Sequence, residues 1–255
     1  MSLRPIPVLL YHRVEPVGAE ISSAFSTPLD LFRAHLQWLA ENDYRTLTMS
    51  ELVARIDGAP PFADNEVAIT FDDGYASLDW AAAPALREAD LTATSFLITD
   101  RIGEGGYITW KQARSLADEG VFEFQSHTHS HQKWEMGQGS FDIITTEIET
   151  SRQLLSDNLG RPIETFDCLA WPYGRTCDEW DLAANGAGMS THFVVQRGAV
   201  TQRNRHNRLP RLMTDGMSIG LFSRMLTTLS YRAGANAFNL AFGTVRRLRG
   251  YGAYS

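Results

Sequence analysis

Two adjacent carboxylates, Asp72 and Asp73, and three histidines within five residues, His127, His129 and His131, are the parts of this 255-residue sequence best equipped for chemistry. Neighbouring carboxylates at a strand end point to different sides and can take different jobs in one pocket. One can bind a cation while the other handles a proton. Gly74 lets the chain turn at once. Neutral imidazole is a common ligand of transition metals, and a His-x-x-x-His spacing can bring two rings to one ion. Two histidines and a carboxylate, with coordination positions left for water, describe a catalytic rather than a structural site. Only two of the three histidines need be ligands, and spacing alone leaves open whether His129 faces the ion. A third group, Ala170-Trp171-Pro172-Tyr173-Gly174, follows an apolar run. Its aromatic rings suit stacking on a sugar, and a backbone N–H in such a loop could face a developing oxyanion. Each group also has a plain alternative: an exposed Asp-Asp-Gly turn, a polar His-rich loop, and a Pro-Gly turn over core aromatics.

The elements that must carry these residues are legible as short apolar runs. Seven read as strands: 7–12, 67–71, 94–98, 121–126, 165–170, 192–196 and 209–213. Helical patterns fill most of the gaps. Ser26 or Thr27 can cap a first helix with Pro28 at its first position, and Phe32, His35, Leu36 and Leu39 follow at helical spacing. Thr48 to Glu51 is a capping-box pattern before a helix ending at Gly58. Further helices are predicted over 76–89, over 109–119, and from about Ser140 to Gly160, and a last one carries Leu221, Phe222, Met225, Leu226 and Leu229 on one side. Strands alternating with helices imply a parallel sheet, and seven strands in this length suggest a closed or nearly closed barrel, with an open doubly wound sheet as the other arrangement. In parallel barrels the chemistry sits where strands end. Tyr11-His12-Arg13, Asp72-Asp73, the His cluster, the Trp-Pro-Tyr-Gly loop and Arg211 all stand at such exits.

Composition excludes several classes. With 44% apolar residues the chain can bury a full core, and no apolar run approaches the length of a membrane span. The two cysteines do not make a disulfide framework, and the first residues lack the pattern of a secretory signal, so a cytoplasmic protein with reduced thiols is the expectation. The net charge of −7 argues against general nucleic-acid binding, yet it is unevenly spread. Residues 1–196 hold 29 acids and 13 bases, whereas residues 197–255 hold ten arginines and one acid, Asp215.

Thr70-Phe71-Asp72-Asp73-Gly74, followed by His127-Thr128-x-x-His131, resembles the first two motifs of the polysaccharide deacetylases, the NodB-homology or carbohydrate esterase family 4 domain. Leu10-Tyr11-His12-Arg13-Val14 and Trp171-Pro172-Tyr173-Gly174 look most like the bacterial exopolysaccharide deacetylases that act on poly-N-acetylglucosamine. The resemblance runs from about residue 7 to 213. It implies a distorted (β/α)7 barrel, an α/β fold in agreement with the strand count. It also implies a divalent metal, zinc first, on Asp73, His127 and His131. Asp72 would be the general base acting on the attacking water. The Tyr173 N–H would help hold the oxyanion, and Trp171, Pro172 and Tyr173 would bind the sugar. The products would be acetate and a glucosaminyl unit with a free amine. Partners would be a GlcNAc-containing glycan or a lipid-linked saccharide.

Two departures from the family stand out. Many members carry an Arg in the third motif that orients the base, where this chain has Ala170. Arg211 is the candidate replacement, because a cation beside Asp72 favours its ionised form; the plain alternative is a surface arginine. The family's general-acid His, in a Leu-x-His context near the C-terminus, has no counterpart after His206. His12, His129, His192 and His206 are left as candidates. Two other functions share the fold: hydrolysis of a small cyclic amide or ureide, and binding of carbohydrate with little catalysis. Residues 1–230 would form the catalytic domain and 231–255 a basic C-terminal tail. In the tail, Phe238, Phe242, Val245 and Leu248 stand beside Arg246, Arg247 and Arg249 in a helical pattern. Either these helices close the barrel with their arginines in water, or this end rests peripherally on the anionic inner face of a membrane.

Overall fold

The computed structural model describes residues 5–19, 23–58, 60–134, 140–201 and 204–229. The proposed basic tail, 231–255, lies outside the described residues, as does the boundary that separates it from the domain. Seven strands close a parallel barrel: β1 (Val8–Tyr11), then β5 (Glu66–Phe71), β6 (Ala93–Leu97), β7 (Phe122–Ser126), β8 (Cys168–Ala170), β9 (Thr191–Val195) and β10 (Leu209–Met213). β1 pairs with both β5 and β10, which closes the ring. Three short strands lie outside it. β2 (Arg13–Glu15) pairs with β3 (Ser26–Pro28), and β4 (Arg45–Thr46) extends the sheet beside β5.

Alternation along the strands sorts two layers. Val8, Ala68, Phe96, Cys168, Ala170, Phe193 and Leu209 fill the barrel, with Met49 and Leu52 of α2 (Met49–Ile56) beneath them. Leu9, Ile69, Phe71, Leu97 and Leu212 face outward. They pack on Phe32, Leu36 and Leu39 of α1 (Leu29–Glu41), Leu86 of α3 (Ala83–Glu88), Leu116 of α4 (Trp110–Asp118) and Leu155 of α5 (Phe141–Leu159). Trp180 and Ala183 of α6 (Asp178–Gly186) form a smaller cluster with Leu169 and Trp171, and α7 (Ile219–Arg224) adds Phe222 to the outer layer.

Beyond shifts of one residue at strand ends, three differences from the sequence expectation stand out. Ser26 and Thr27 do not cap α1; they belong to β3, and Pro28 is the N-cap residue. The strand expected over 165–170 begins only at Cys168: Ile163–Thr165 form a 3-10 turn, and the Arg152 guanidinium takes the Phe166 carbonyl (2.7 Å) that a longer ladder would use. The helix over 76–89 opens with a π-turn at Leu78–Ala82 before α3. Pro84 lacks the N–H that would bond the Trp80 carbonyl, and a widened turn accommodates the loss. The capping boxes at Thr48 with Glu51 and at Thr109 with Gln112 are both formed, and Gly160 ends α5 in the left-handed region at φ 66°.

Candidate active site

Asp72 continues the inward face of β5 after Ala68 and Thr70, so alternation alone places its side chain in the barrel mouth. Its N–H donates to the Tyr11 carbonyl at 3.0 Å, and it is 3% exposed. Strict alternation would send Asp73 away from the mouth. A positive φ of 73° at Asp73, followed by 84° at Gly74, turns it back. Glycine suits position 74 because its φ of 84° strains any other residue, and a Cβ there would also crowd Leu97 Cδ2 at 2.7 Å. A non-glycine residue held at positive φ costs of order 1–3 kcal/mol and marks a position that the surrounding structure enforces.

The same device recurs after β7. Thr128 and His131 have φ of 66° and 54°, and the His131 N–H donates to Thr128 Oγ1 at 3.2 Å, curling the loop so that both outer histidines face Asp73. His127 Nδ1 lies 2.7 Å from the Ala170 carbonyl. A carbonyl only accepts, so Nδ1 carries the proton and Nε2 presents its lone pair. His127 Nε2 is 3.5 Å and His131 Nε2 3.7 Å from Asp73 Oδ1, and one ligand atom from each of the three residues lies within 4.8 Å of the others. These separations are too long for good hydrogen bonds. They match the roughly 3.4 Å between two ligand atoms set tetrahedrally about 2.1 Å from one ion. Burial and the neighbouring His127 push His131 down to about 4, so its ring is neutral and ready to ligate at neutral pH. The donor set therefore fits a divalent cation. His129 turns elsewhere, with Nδ1 3.0 Å from Thr99 Oγ1.

Arg211 is not a surface arginine. It is 1% exposed, and its Nη1 and Nη2 donate to Asp72 Oδ1 and Oδ2 at 2.6 and 2.7 Å. Burial alone would raise the Asp72 carboxyl; Arg211, then His127 and His12, more than reverse this and hold it below the usual carboxylate range. The fork of Arg211 occupies one edge of the carboxylate, while His127 Nε2 stands 3.7 Å from Oδ2.

The Trp-Pro-Tyr-Gly loop is divided. Trp171 is 0% exposed, with its ring 6.0 Å from Trp180 and 5.8 Å from His192, so the sequence reading of it as a sugar-stacking face is corrected: an enclosed ring has no face to offer. Pro172 is buried too, and it likewise shapes the loop from below rather than meeting a ligand. Tyr173 is 43% exposed, its ring 4.8 Å from that of His131, at a φ of 58°. Gly174 is needed beside it because a Cβ would lie 2.4 Å from Val195 Cβ. A second aromatic wall went unread in the sequence. Tyr75 stacks on Tyr107 at 5.2 Å, and Arg13 Cζ sits 4.3 Å over the Tyr75 ring. Burial and Asp73 push the Tyr75 hydroxyl up.

The sequence also left His12 without a partner. β1 and β5 run in register with Tyr11 opposite Phe71, so His12 emerges level with Asp72. Its Nδ1 is 2.6 Å from Asp215 Oδ2, and its backbone N–H donates to Asp215 Oδ1 at 3.2 Å. Burial would lower His12, but Asp215, supported by Asp72 and Asp73, reverses this and raises it to about 9. The signal was present in that Asp215 is the one acid among the last 59 residues, but nothing in the spacing tied it to residue 12.

A protein-family model described as polysaccharide deacetylase matches residues 59–192. A poly-beta-1,6-N-acetyl-D-glucosamine N-deacetylase of Staphylococcus epidermidis is 28% identical over 229 residues, covering 81% of this chain and 78% of that one. Among solved structures, the Streptococcus pyogenes deacetylase PplD, in complex with acetate, superposes with a TM-score of 0.76 at 26% identity, over 88% of this chain and 98% of that one. IcaB from Ammonifex degensii shares the fold, with a TM-score of 0.74 at 23% identity over 86% and 95% of the two chains.

Proposed function

The chain belongs to the polysaccharide deacetylase family, and on that premise we propose that it hydrolyses the acetamide of N-acetylglucosamine units in a glycan, with one divalent metal, zinc first, held by Asp73, His127 and His131. The observation that carries this reading is the convergence of that ligand set with a buried carboxylate and a charged imidazole in one barrel mouth. When bound, the cation supplies Lewis acidity, polarising a carbonyl and lowering the pKa of a water to about 7. A weakly basic carboxylate is then a sufficient proton acceptor.

The residues divide the remaining work. Asp72, kept ionised and oriented by Arg211, takes the proton of the attacking water. Tyr173, whose ring lies 4.8 Å from that of His131, is the residue whose backbone N–H would meet a developing oxyanion. His12 starts as the imidazolium favoured by Asp215 and gives its Nε2 proton to the departing amine. The C–N bond breaks as that N–H forms, leaving acetate and a free glucosaminyl amine. Tyr173, exposed beside His131, would supply a flat surface for a pyranose ring, and the Tyr75–Tyr107 pair lies near Asp73. Family membership and the full acid and base set favour polymer hydrolysis over mere binding.

The purified protein is expected to release acetate from an N-acetylglucosamine oligomer, to lose that activity on chelation, and to regain it with a divalent metal. Acetate release that survives complete removal of metal would overturn the reading. His12→Asn should slow amide cleavage by about 10²–10⁴-fold while sparing an aryl acetate, whose phenolate leaves without a proton. Equal losses on both substrates would exclude His12 as the donor. The His12 value lies above that of the unfolded chain. Its pairing therefore stabilises the fold fully below about pH 6.5, and this contribution is lost as pH rises through about 9.

A further inference from the structure

Asp215 follows β10 and His12 follows β1, so the turn at 214–217 must be held in register with the other end of the chain. Side chains from the N-terminal part do this. Thr27 of β3 is 0% exposed; its Oγ1 donates to Asp215 Oδ1 at 3.0 Å and accepts from the Gly216 N–H at 3.2 Å. His35 of α1, also 0% exposed, holds the far end of the turn, with Nε2 2.8 Å from the Met217 carbonyl. That carbonyl can only accept, so Nε2 carries the proton and Nδ1 accepts from the Tyr11 hydroxyl at 2.9 Å. The imidazole lies flat on Phe222, with centroids 4.1 Å apart and planes 7° from parallel, which fixes its rotation. Burial lowers His35 to about 4, so this single tautomer persists at neutral pH. Thr214 completes the clamp, its N–H and Oγ1 donating to the Leu10 carbonyl at 2.9 and 2.8 Å.

Neither Thr27 nor His35 has surface to offer a substrate, yet Thr27 holds the carboxylate that orients His12 and His35 holds the far end of the turn that carries it. We propose that Thr27 and His35 are positioning residues for proton donation to the leaving amine: they fix the Asp215 turn and, through it, the His12 ring. The inference rests on the deacetylase reading and on His12 as the donor. Its physical basis is that a catalytic group displaced by about 1 Å can cost about 10²-fold in rate. Loss of the Thr27 hydroxyl leaves Asp215 Oδ1 with the His12 N–H alone and strips the Gly216 N–H of its acceptor.

The test compares steady-state acetate release from an N-acetylglucosamine oligomer by the wild type, Thr27→Val and Thr27→Ser, each loaded with metal. Thr27→Val is expected to lose about 10- to 100-fold in kcat with KM within about twofold, and Thr27→Ser, which restores the hydroxyl, to recover to within about threefold of the wild type. His35→Gln, which keeps a donor for the Met217 carbonyl but not the flat ring on Phe222, should show the same split to a smaller degree. If valine prevents folding, Thr27→Cys carries the same comparison against Thr27→Ser. A wild-type kcat in the valine or cysteine variant, a loss confined to KM, or a serine variant as slow as the valine would each overturn the proposal. A wild type inactive on the oligomer would instead defeat the deacetylase reading itself.

Discussion

Asp72→Asn is expected to leave a metal-binding protein that releases acetate about 10²–10⁴-fold more slowly than the wild type. The substitution conserves shape and removes the carboxylate that lies beside His127 and can accept a proton there. Asp73, its neighbour in sequence, faces His127 and His131 and would be committed to a cation held there. Asparagine also sets an amide N–H₂ against one Arg211 nitrogen where a carboxylate oxygen accepted before. Some stability should go with the activity, but the ligand geometry at Asp73, His127 and His131 is built by separate loops and should survive. Acetate release and bound metal, measured on the same preparation, check both halves. A variant as fast as the wild type would remove Asp72 from the role of base.

Arg211→Met should be the most destabilising single change at the site, by about 3–5 kcal/mol, because it strands Asp72 as a buried charge without its partner. Methionine fills much the same volume, so the loss reflects charge rather than a cavity. The direction of the pH effect follows from the wild-type pair. The Asp72 value lies below that of an unfolded Asp, so the pair contributes stability that is full above about pH 3.9 and is lost as pH falls through the lower folded value. Without Arg211, burial dominates and the carboxyl rises. The variant should therefore lose activity on acidification at a higher pH than the wild type, with the acid limb of its rate profile moved toward neutrality. Denaturant unfolding at pH 7 and a pH–rate profile test the two effects separately. An unchanged acid limb would mean that Arg211 does not keep the base ionised.

Much of the barrel was legible because apolar runs of strand length recur between helical stripes. Each of the seven runs became a barrel strand, and the capping box at Thr48 formed where its spacing placed it. The failures have physical causes outside local pattern. A 3-10 turn at Ile163–Thr165 and the hold of Arg152 on the Phe166 carbonyl shorten β8, and β2 gives Ser26 and Thr27 a strand partner that no helical period reveals. At the site, the Asp72–Asp73 pair and the His127–His131 spacing were readable locally, whereas joining Asp73 to the two histidines rested on the family resemblance. Trp171 was misread because an aromatic residue at a strand exit looks the same in sequence whether its ring meets solvent or Trp180.

What the sequence determined by itself is what lies within a few residues along the chain: the element order, the paired Asp72 and Asp73, and the His127–His131 spacing on one loop. What only the tertiary structure decided is every pairing across the barrel. Arg211 meets Asp72 across 139 residues, His12 meets Asp215 across 203, and Thr27 meets Asp215 across 188. Closure sets β1 between β5 and β10, so groups from the two ends of the chain share one mouth and the charges that tune each other are spatial neighbours. Protonation depends on burial and on charge at a distance of a few ångströms, and neither quantity exists in a sequence until the ring is closed.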